Sequence, residues 1–444
     1  MACRRELHRR GSRRKPLAAL TMAGGLWRCF TGASRPSQTA WEWWESLGNP
    51  KWVCSPMIDQ SERAFRILCR RHGVHLCYTP MLHAEPFASD ETYRTTYFDA
   101  WKVEELDRPL IAQLGGDHPQ TVLRAAKILE PHVEAVDLNF GCPTEDARKG
   151  GHASHSPRCR RYGAWLLDDV PQVTRLVRTL ARNLQVPVTA KIRLLENRRR
   201  SVDLALAIQE SGASALTVHG RTRQQRPKYA EKHGIECLAP DWETIGAIAQ
   251  TLSIPVIANG GIETRQDAER CLAVTHAAAV MSAEALLEQP DLFVETEALA
   301  GRVDGSDGST DARVRRMEES VEELPIPRMF RLAREFLELA QRYPSPLKYP
   351  PTKSHLFKIL HRLIDVDQAM CRRKAASGQQ LTLKEELKLK LMCCPVTDFD
   401  AIHQALDYLE AHADEQLLGD TWYRRWRPNS DVMQSRVRRI MGCW

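Results

Sequence analysis

The chain has 444 residues, 43% of them hydrophobic and 27% charged, with a formal net charge of +7; that length suits a barrel-sized domain plus a smaller one. No stretch approaches the run of about 18 apolar residues that a membrane span needs, which excludes an integral membrane protein. The basic excess suits a polyanionic partner without requiring one, and thirteen cysteines with no C-x-x-C pair indicate neither a zinc site nor a disulfide framework, so a reducing compartment and no metal are expected.

The first forty residues hold Arg4, Arg5, Arg9, Arg10, Arg13, Arg14, Lys15, Arg28 and Arg35 against one acid, Glu6. Residues 1–46 therefore read as a disordered basic extension or an organelle transit peptide, the second ranked slightly ahead. After the Trp-rich segment Trp41 to Trp52, the first strand is WVCSPM, closing at Pro56-Met57. Asp59 is the expected N-cap of a helix, with Glu62 three residues on and Ala64, Phe65, Ile67 and Leu68 at helical spacing until Gly73. The β-then-α unit then recurs. HLCYTPM starts at His75, PLIAQL at Pro109 with a helix over His118 to Leu129, and VEAVDLNF at Val133 with a helix through Val173 to Leu180. PVTAKIR from Pro187 precedes a helix over Val202 to Glu210, and SALTVHG from Ser214 precedes one over Trp242 to Thr251. IPVIANG from Ile254, a helix over Thr264 to Leu272, and AAAVMSA from Ala277 complete the series.

Near-continuous apolar strands separated by amphipathic helices mean a covered parallel sheet, and eight such units over roughly 250 residues predict a closed (β/α)8 TIM barrel over residues 47–300. A doubly wound open sheet is the competing α/β architecture; it would carry G-x-G-x-x-G after its first strand, where this chain has S-P-M. Residues 301–312, rich in Gly, Ser and Asp, read as a linker. Residues 313–444 read as a smaller α-helical domain, with helical periodicity in MFRLAREFLELAQRY and SHLFKILHRLIDV, a proline-rich joint over Pro344 to Pro351, and a basic stretch over Arg424 to Arg439.

Met57, Met81, Gln113, Asn139, Lys191, His219, Asn259 and Ser282 each close a different strand, and the carboxyl ends of barrel strands are where active sites form. Singly, Lys191 could be a solvated strand end, His219 a satisfied core histidine and Met57 a packing residue. Cys142 lies in the Gly141-Cys142-Pro143 turn that halts the AVDLNF strand, where a thiol can reach a ligand; a packed thiol is an equal reading from position alone. The glycine and small residues of NGGIET and MSAEAL occupy the usual barrel site for a phosphate, while Lys191, His219 and Gln113 can bond an electron-rich ring. That inventory suits flavin mononucleotide (FMN) or, as the plainer alternative, a sugar phosphate.

SPMIDQSERAFR, YTPMLHA, DRPLIAQL, VDLNFGCP, PVTAKIR, LTVHGRT, DWETI, IPVIANGGI and VMSAEAL, in this order, resemble the tRNA-dihydrouridine synthases from about Trp52 to Phe293. PMIDQSE, YTPMLHA and MSAE resemble the eukaryotic branch acting on D-loop uridines 16 and 17, and SHLFKIL resembles that branch's helical C-terminal domain. The resemblance implies FMN over Pro56, Met57 and Ile58, with Gln113, Lys191 and His219 at its edge and Asn259, Gly260, Gly261, Ala283 and Glu284 around its phosphate. It implies NADPH as reductant, Cys142 as the acid that protonates C5 of a uracil, and Asn139, Lys149, Tyr162 and Arg221 against a tRNA substrate. A monomer is expected, in the cytoplasm or nucleus, or in a mitochondrion or chloroplast if the basic start directs import.

Two departures stand out. HASHSPRCRR, His152 to Arg161, separates a Lys-Gly pair from Tyr162-Gly163-Ala164, where the family runs almost directly on; it reads as a longer substrate loop or, slightly favoured, a gene-model error. PKYAEKHGIECLAPDW, after Arg226, is also longer than usual. The alternatives to a dihydrouridine synthase are an FMN barrel acting on a free small molecule, and a non-catalytic RNA-binding protein.

Overall fold

A computed structural model describes residues 38–98, 105–149, 161–225, 239–294, 325–347 and 350–419. Nine strands form one parallel sheet: β1 (Trp52–Cys54), β2 (Leu76–Tyr78), β3 (Leu82–His83), β4 (Leu110–Gly115), β5 (Ala135–Phe140), β6 (Val188–Leu194), β7 (Ala215–Thr222), β8 (Val256–Asn259) and β9 (Ala279–Ser282). Pairing of β2 with β4 (Cys77 opposite Leu110) and of β1 with β9 (Val53 opposite Met281) closes eight of them into a ring. The architecture is therefore the barrel and not the open sheet.

The segment expected as one strand from His75 is two. β2 and β3 lie in line along the same edge of β4, separated at Thr79-Pro80-Met81. Pro80 has no N–H to give to the ladder, so pairing stops and resumes beyond it.

Side chains alternate between two cores. Leu110, Ala112, Val136, Leu138, Ala190 and Val218 belong to the large cluster under the outer helices. Ile111, Ala135, Ala215, Ile257 and Ala279 belong to a smaller cluster that also holds Trp43 and Trp44. A strand's faces alternate with period two, so the second set points into the barrel. Trp43 and Trp44 come from the Ala40–Ser46 helix, which Thr39 starts with a capping box alongside Glu42. Trp41 donates from Nε1 to the carbonyl of Ser253 at 2.9 Å, just before β8, so this helix plugs the amino end of the barrel. The extension expected over residues 1–46 is thus corrected at its end: residues 38–46 form the bottom of the barrel because two indoles need burial there. Residues 1–37, where the basic start lies, are outside the described residues.

The helix expected to begin at Asp59 begins at Arg63, with Glu62 as its N-cap. Ser61 accepts the amide of Met57 at 3.0 Å and returns its own amide to the Met57 carbonyl at 3.2 Å. Asp59 is thereby held at φ 55°, left-handed and incompatible with a helix start. The remaining barrel helices follow their predicted centres, including Trp242–Thr251, capped by Asp241, and Arg265–Thr275, capped by Thr264 with Asp267.

The C-terminal helices are Pro325–Arg342, Thr352–Ile359, His361–Ile364, Gln368–Ala376, Leu383–Cys393 and Phe399–Ala411. The single helix expected over SHLFKILHRLIDV breaks at Leu360. These helices share their apolar core with the barrel. His355 is fully buried between Phe65 (4.5 Å) and Phe336 (4.7 Å), and its Nε2 lies 3.0 Å from Glu62. Glu335 pairs with Arg71 at 3.1 Å and with His72 at 2.7 Å, and Arg328 forks onto Asp291 with two bonds of 2.7 Å. The helical region is therefore seated on the first barrel helix. The expected linker, the inserted segment up to residue 160 and the basic stretch Arg424 to Arg439 lie outside the described residues. Among those described, no helix is long and apolar enough to cross a membrane, no cluster of three or more His, Cys, Asp or Glu could hold a metal, and every cysteine is a free thiol.

Candidate active site

The inward-facing positions change character along the barrel axis. At the amino end they are apolar (Ile111, Ala135, Ala215), one step on they are Gln113, Asp137, Thr189 and Thr217, and at the carboxyl end they are Asn139, Lys191, His219 and Asn259. The register sets these side by side: Gln113 opposite Asp137, Asn139 opposite Lys191, His219 opposite Asn259. The strand ends that look unrelated along the chain form one polar floor to the mouth.

Most of that floor is tied together by hydrogen bonds. Lys191 donates from Nζ to Asn259 Oδ1 at 2.9 Å, and Asn259 donates from Nδ2 to the carbonyl of Met281 at 2.9 Å. Gln113, only 1% exposed, donates to Asp137 Oδ2 at 2.8 Å and accepts from Asn139 Nδ2 at 2.8 Å. Burial, then the neighbouring Arg193 guanidinium, pushes the Lys191 ammonium down to about 7, opposed by Asp137 and Cys142. Burial, then Arg193, Lys191 and Arg221, holds the His219 imidazole well below its ordinary value. His219 is therefore a neutral ring at physiological pH, able to donate from one nitrogen and accept at the other.

Cys142 sits half-buried above this floor. Asn139 Oδ1 accepts the amides of Gly141 at 3.0 Å and Cys142 at 2.9 Å, which makes the turn that lifts the thiol off the strand. Arg193 holds the same turn from the other side, donating from Nε to the Gly141 carbonyl at 2.8 Å. The thiol lies 3.2 Å from Thr144 Oγ1, a hydroxyl that also accepts the amide of Ala147 at 3.2 Å. Beneath the turn, Met81, Ala147 and Tyr162 form a small apolar cluster with Cys142 and Trp165 packed on it.

The other expected residues spread around this centre. Pro56 and Met57 are half-buried on the loop after β1, while Ile58 is 50% exposed, an unusual state for an isoleucine on a structured loop. Gly260 and Gly261 turn the chain after β8 with φ of 107° and 75°. A Cβ on Gly260 would stand 2.8 Å from His219 Cδ2, and one on Gly261 2.9 Å from Pro240 Cβ's neighbour Cγ, so only bare backbone fits there. Ala283 and Glu284 are half-buried at the start of a short helix, and Ser282 is buried. Of the four residues assigned to a substrate, Asn139 is in the floor, Arg221 is half-buried on β7, and Lys149 is exposed on the short Glu145–Lys149 helix. Tyr162 is 3% exposed and meets His83 edge-on at 5.2 Å, so its place is in the wall below the Cys142 turn.

Sequence reading overlooks Asp137, Arg193, Thr144 and Gly163. An acid inside an otherwise apolar strand was the available signal for Asp137, since a buried carboxylate needs a reason. Gly163 is at φ 65° against the back of Cys142, where a Cβ would come within 2.6 Å of the Cys142 carbonyl oxygen. Nothing local announces that contact.

Residues 53–331 match a family model described as Dihydrouridine synthase (Dus). A Rattus norvegicus protein named tRNA-dihydrouridine(16/17) synthase [NAD(P)(+)]-like is 36% identical over 338 residues, covering 76% of this chain and 66% of that protein. The Saccharomyces cerevisiae tRNA-dihydrouridine(16/17) synthase [NAD(P)(+)] is 36% identical over 319 residues, 71% of this chain and 66% of its own length. A Homo sapiens tRNA-dihydrouridine(20a/20b) synthase [NAD(P)+]-like protein is 33% identical over 248 residues, 55% of this chain and 71% of the relative. The chain thus spans just under two thirds of the rat and yeast relatives. A family match over residues 53–331, on a barrel whose strand ends carry the motif residues, has a single reading: the chain belongs to the dihydrouridine synthase family.

Proposed function

We propose that this protein is an FMN-dependent tRNA-dihydrouridine synthase that reduces the C5–C6 double bond of uridine in the tRNA D-loop, at positions 16/17, with NADPH as reductant. The observation that carries the proposal is the Cys142 thiol held by Asn139 over a floor of Gln113, Lys191 and His219. The residues fit FMN on two counts. The Gly260-Gly261 turn is a cradle that side chains would fill, and the exposed Ile58 offers an apolar surface that a flat ring would cover. Asn259, Gly260, Gly261, Ala283 and Glu284 would hold the phosphate end, and Pro56, Met57 and Ile58 the ring. Gln113, Lys191 and His219 would bond its polar edge.

When bound, FMN supplies the hydride that reduces C6 of the uracil. The chain's part is to deliver the uracil and the proton. A base inside folded RNA must be swung out of its stack, at a cost of a few kcal/mol, before it can reach the mouth. Asn139 and Arg221 would meet the uracil and the exposed Lys149 a phosphate, with Tyr162 supporting the wall below the Cys142 turn. Cys142 then gives its proton to C5, from the face opposite the hydride. Thr144, whose hydroxyl is exposed and 3.2 Å from the sulfur, is placed to return a proton from solvent. The helical region supplies further phosphate contacts, and the protein acts as a monomer in the cytoplasm or nucleus, or in an organelle if the basic start directs import.

The test is direct. The purified protein should be yellow, and tRNA from cells lacking it should lose dihydrouridine at 16/17, regained on add-back. A folded protein that takes up no flavin, or unchanged tRNA, overturns the proposal. FMN binding should also depend on pH. Lys191 is charged below about 7 and neutral above, so its charged bond to the ring is lost as pH rises. Between pH 6 and 8.5 affinity should weaken about fivefold from this group, the difference between a charged and a neutral hydrogen bond. Fluorescence titrations of the wild type against Lys191→Met check it, because the variant should lack that step whatever the phosphate's own titration does.

A further inference from the structure

Asp137 has no solvent exposure and lies in the middle of β5, one inward step below Asn139. Two donors offset the burial of its carboxylate: Thr189 Oγ1 reaches Oδ1 at 2.6 Å and Gln113 Nε2 reaches Oδ2 at 2.8 Å. The nearby Lys191 ammonium is committed to Asn259 instead, so Asp137 is not half of an ion pair that would explain its presence.

An ionised carboxylate only accepts hydrogen bonds, and this has consequences two residues away. Gln113 must turn its NH2 toward Asp137, which leaves its oxygen facing the mouth. That oxygen can only accept, so Asn139 must turn its own NH2 toward Gln113. Asn139 Oδ1 is then left pointing at the loop, where the amides of Gly141 and Cys142 need an acceptor. Each amide in the row has one way round, and the carboxylate at the bottom sets the direction. An inverted Gln113 would place its oxygen against a carboxylate oxygen and its NH2 against the NH2 of Asn139.

The geometry points to Asp137 as the positioning residue for the Cys142 turn, acting through Gln113 and Asn139 to hold the proposed acid in one place over the mouth. Burial raises the Asp137 carboxyl to about 6, with Thr189, Gln113 and Lys191 opposing the rise, so the acceptor form prevails at neutral pH. The inference rests on the reading of Cys142 as acid for its purpose, but the positioning is a property of the protein alone and can be measured alone. It also gives a reason for an acid in an apolar strand, where a hydrophobe would otherwise pack at no electrostatic cost.

The experiment is alkylation of Cys142 by iodoacetamide in the full-length protein, followed by peptide mass spectrometry, with the Cys393–Cys394 pair in the helical region as internal standard. Asp137→Ala and Gln113→Leu each break the row and should speed Cys142 alkylation about tenfold, the weight of one buried hydrogen bond, without changing the standard. Asp137→Asn can still offer oxygen to Gln113 and its NH2 to the Thr189 hydroxyl, so it should restore the wild-type rate to within about twofold. If Asp137→Ala does not fold, Gln113→Leu carries the test, because it leaves the carboxylate in place. Wild-type alkylation in the broken-row variants, with only the melting temperature lowered, would reduce Asp137 to a structural residue and overturn the inference. If the alkylation pattern appears but even the wild type forms no dihydrouridine, the positioning stands and the proposed function falls.

Discussion

Cys142→Ala is expected to lower dihydrouridine formation by about a thousandfold, in the middle of the range that a positioned general acid contributes. The expectation follows from what else stands near C5 in the proposed complex. Thr144 is a hydroxyl, a far weaker acid than a thiol, and it already gives one lone pair to the Ala147 amide. Among the described residues Lys191 is drawn to Asn259 below the thiol, and His219 is a neutral ring and a poor acid. With the sulfur gone, no better acid than water stands beside the ring among the described residues. The side chain is half-exposed on a turn whose fold comes from Asn139 and Arg193, so truncating it leaves the flavin cradle and the RNA surface untouched. Single-turnover assays with nucleoside mass spectrometry should therefore show a lost chemical step, with flavin content and tRNA affinity retained. A variant that keeps the wild-type rate would remove the thiol from the mechanism.

Gly163→Ala is expected to cost about a hundredfold in the same assay, through position and not chemistry. The residue has φ 65°, where an L side chain is strained by about 1–2 kcal/mol. Its Cβ would also come within 2.6 Å of the Cys142 carbonyl oxygen, 2.8 Å of its Cβ and 3.1 Å of its Cα. Those are backbone atoms or atoms next to them, so the loop itself has to give way. Moving it breaks the 2.9 Å bond from the Ala164 amide to the Cys142 carbonyl and displaces the thiol. A misplacement of about 1 Å is enough for a hundredfold loss. Gly378→Ala is the control: it is equally left-handed at φ 69° but has nothing within 4 Å of its would-be Cβ. It should show the smaller fall in melting temperature that strain alone brings, with activity unchanged. Equal activity in both variants would mean that Gly163 does not set the thiol's place.

How much of this was legible beforehand differs from residue to residue. The strand and helix alternation, the closing residues Gln113, Asn139, Lys191, His219 and Asn259, and the thiol in the Gly141-Cys142-Pro143 turn were all open to reading. Apolar periodicity and turn chemistry are local, and a parallel sheet with eight covered strands has few ways to close. Asp137 stood out as an acid in an apolar run, but its partners Gln113 and Thr189 did not, because which side chains face inward together is set only when the barrel closes. The break at Pro80 was open to reading, and expecting one strand there overlooked the missing donor.

The order of elements, the glycine turn after β8 and the thiol-bearing turn after β5 were settled by the amino-acid sequence on its own, because each depends on neighbours within a few residues. What the tertiary structure alone decided is which of those groups face one another. Lys191 reaches Asn259 across 68 positions, Arg193 reaches Gly141 across 52, and two indoles of the first helix stop the far end of the barrel. Such pairings come from strand register and ring closure, which act at a distance along the chain and leave no local mark on it.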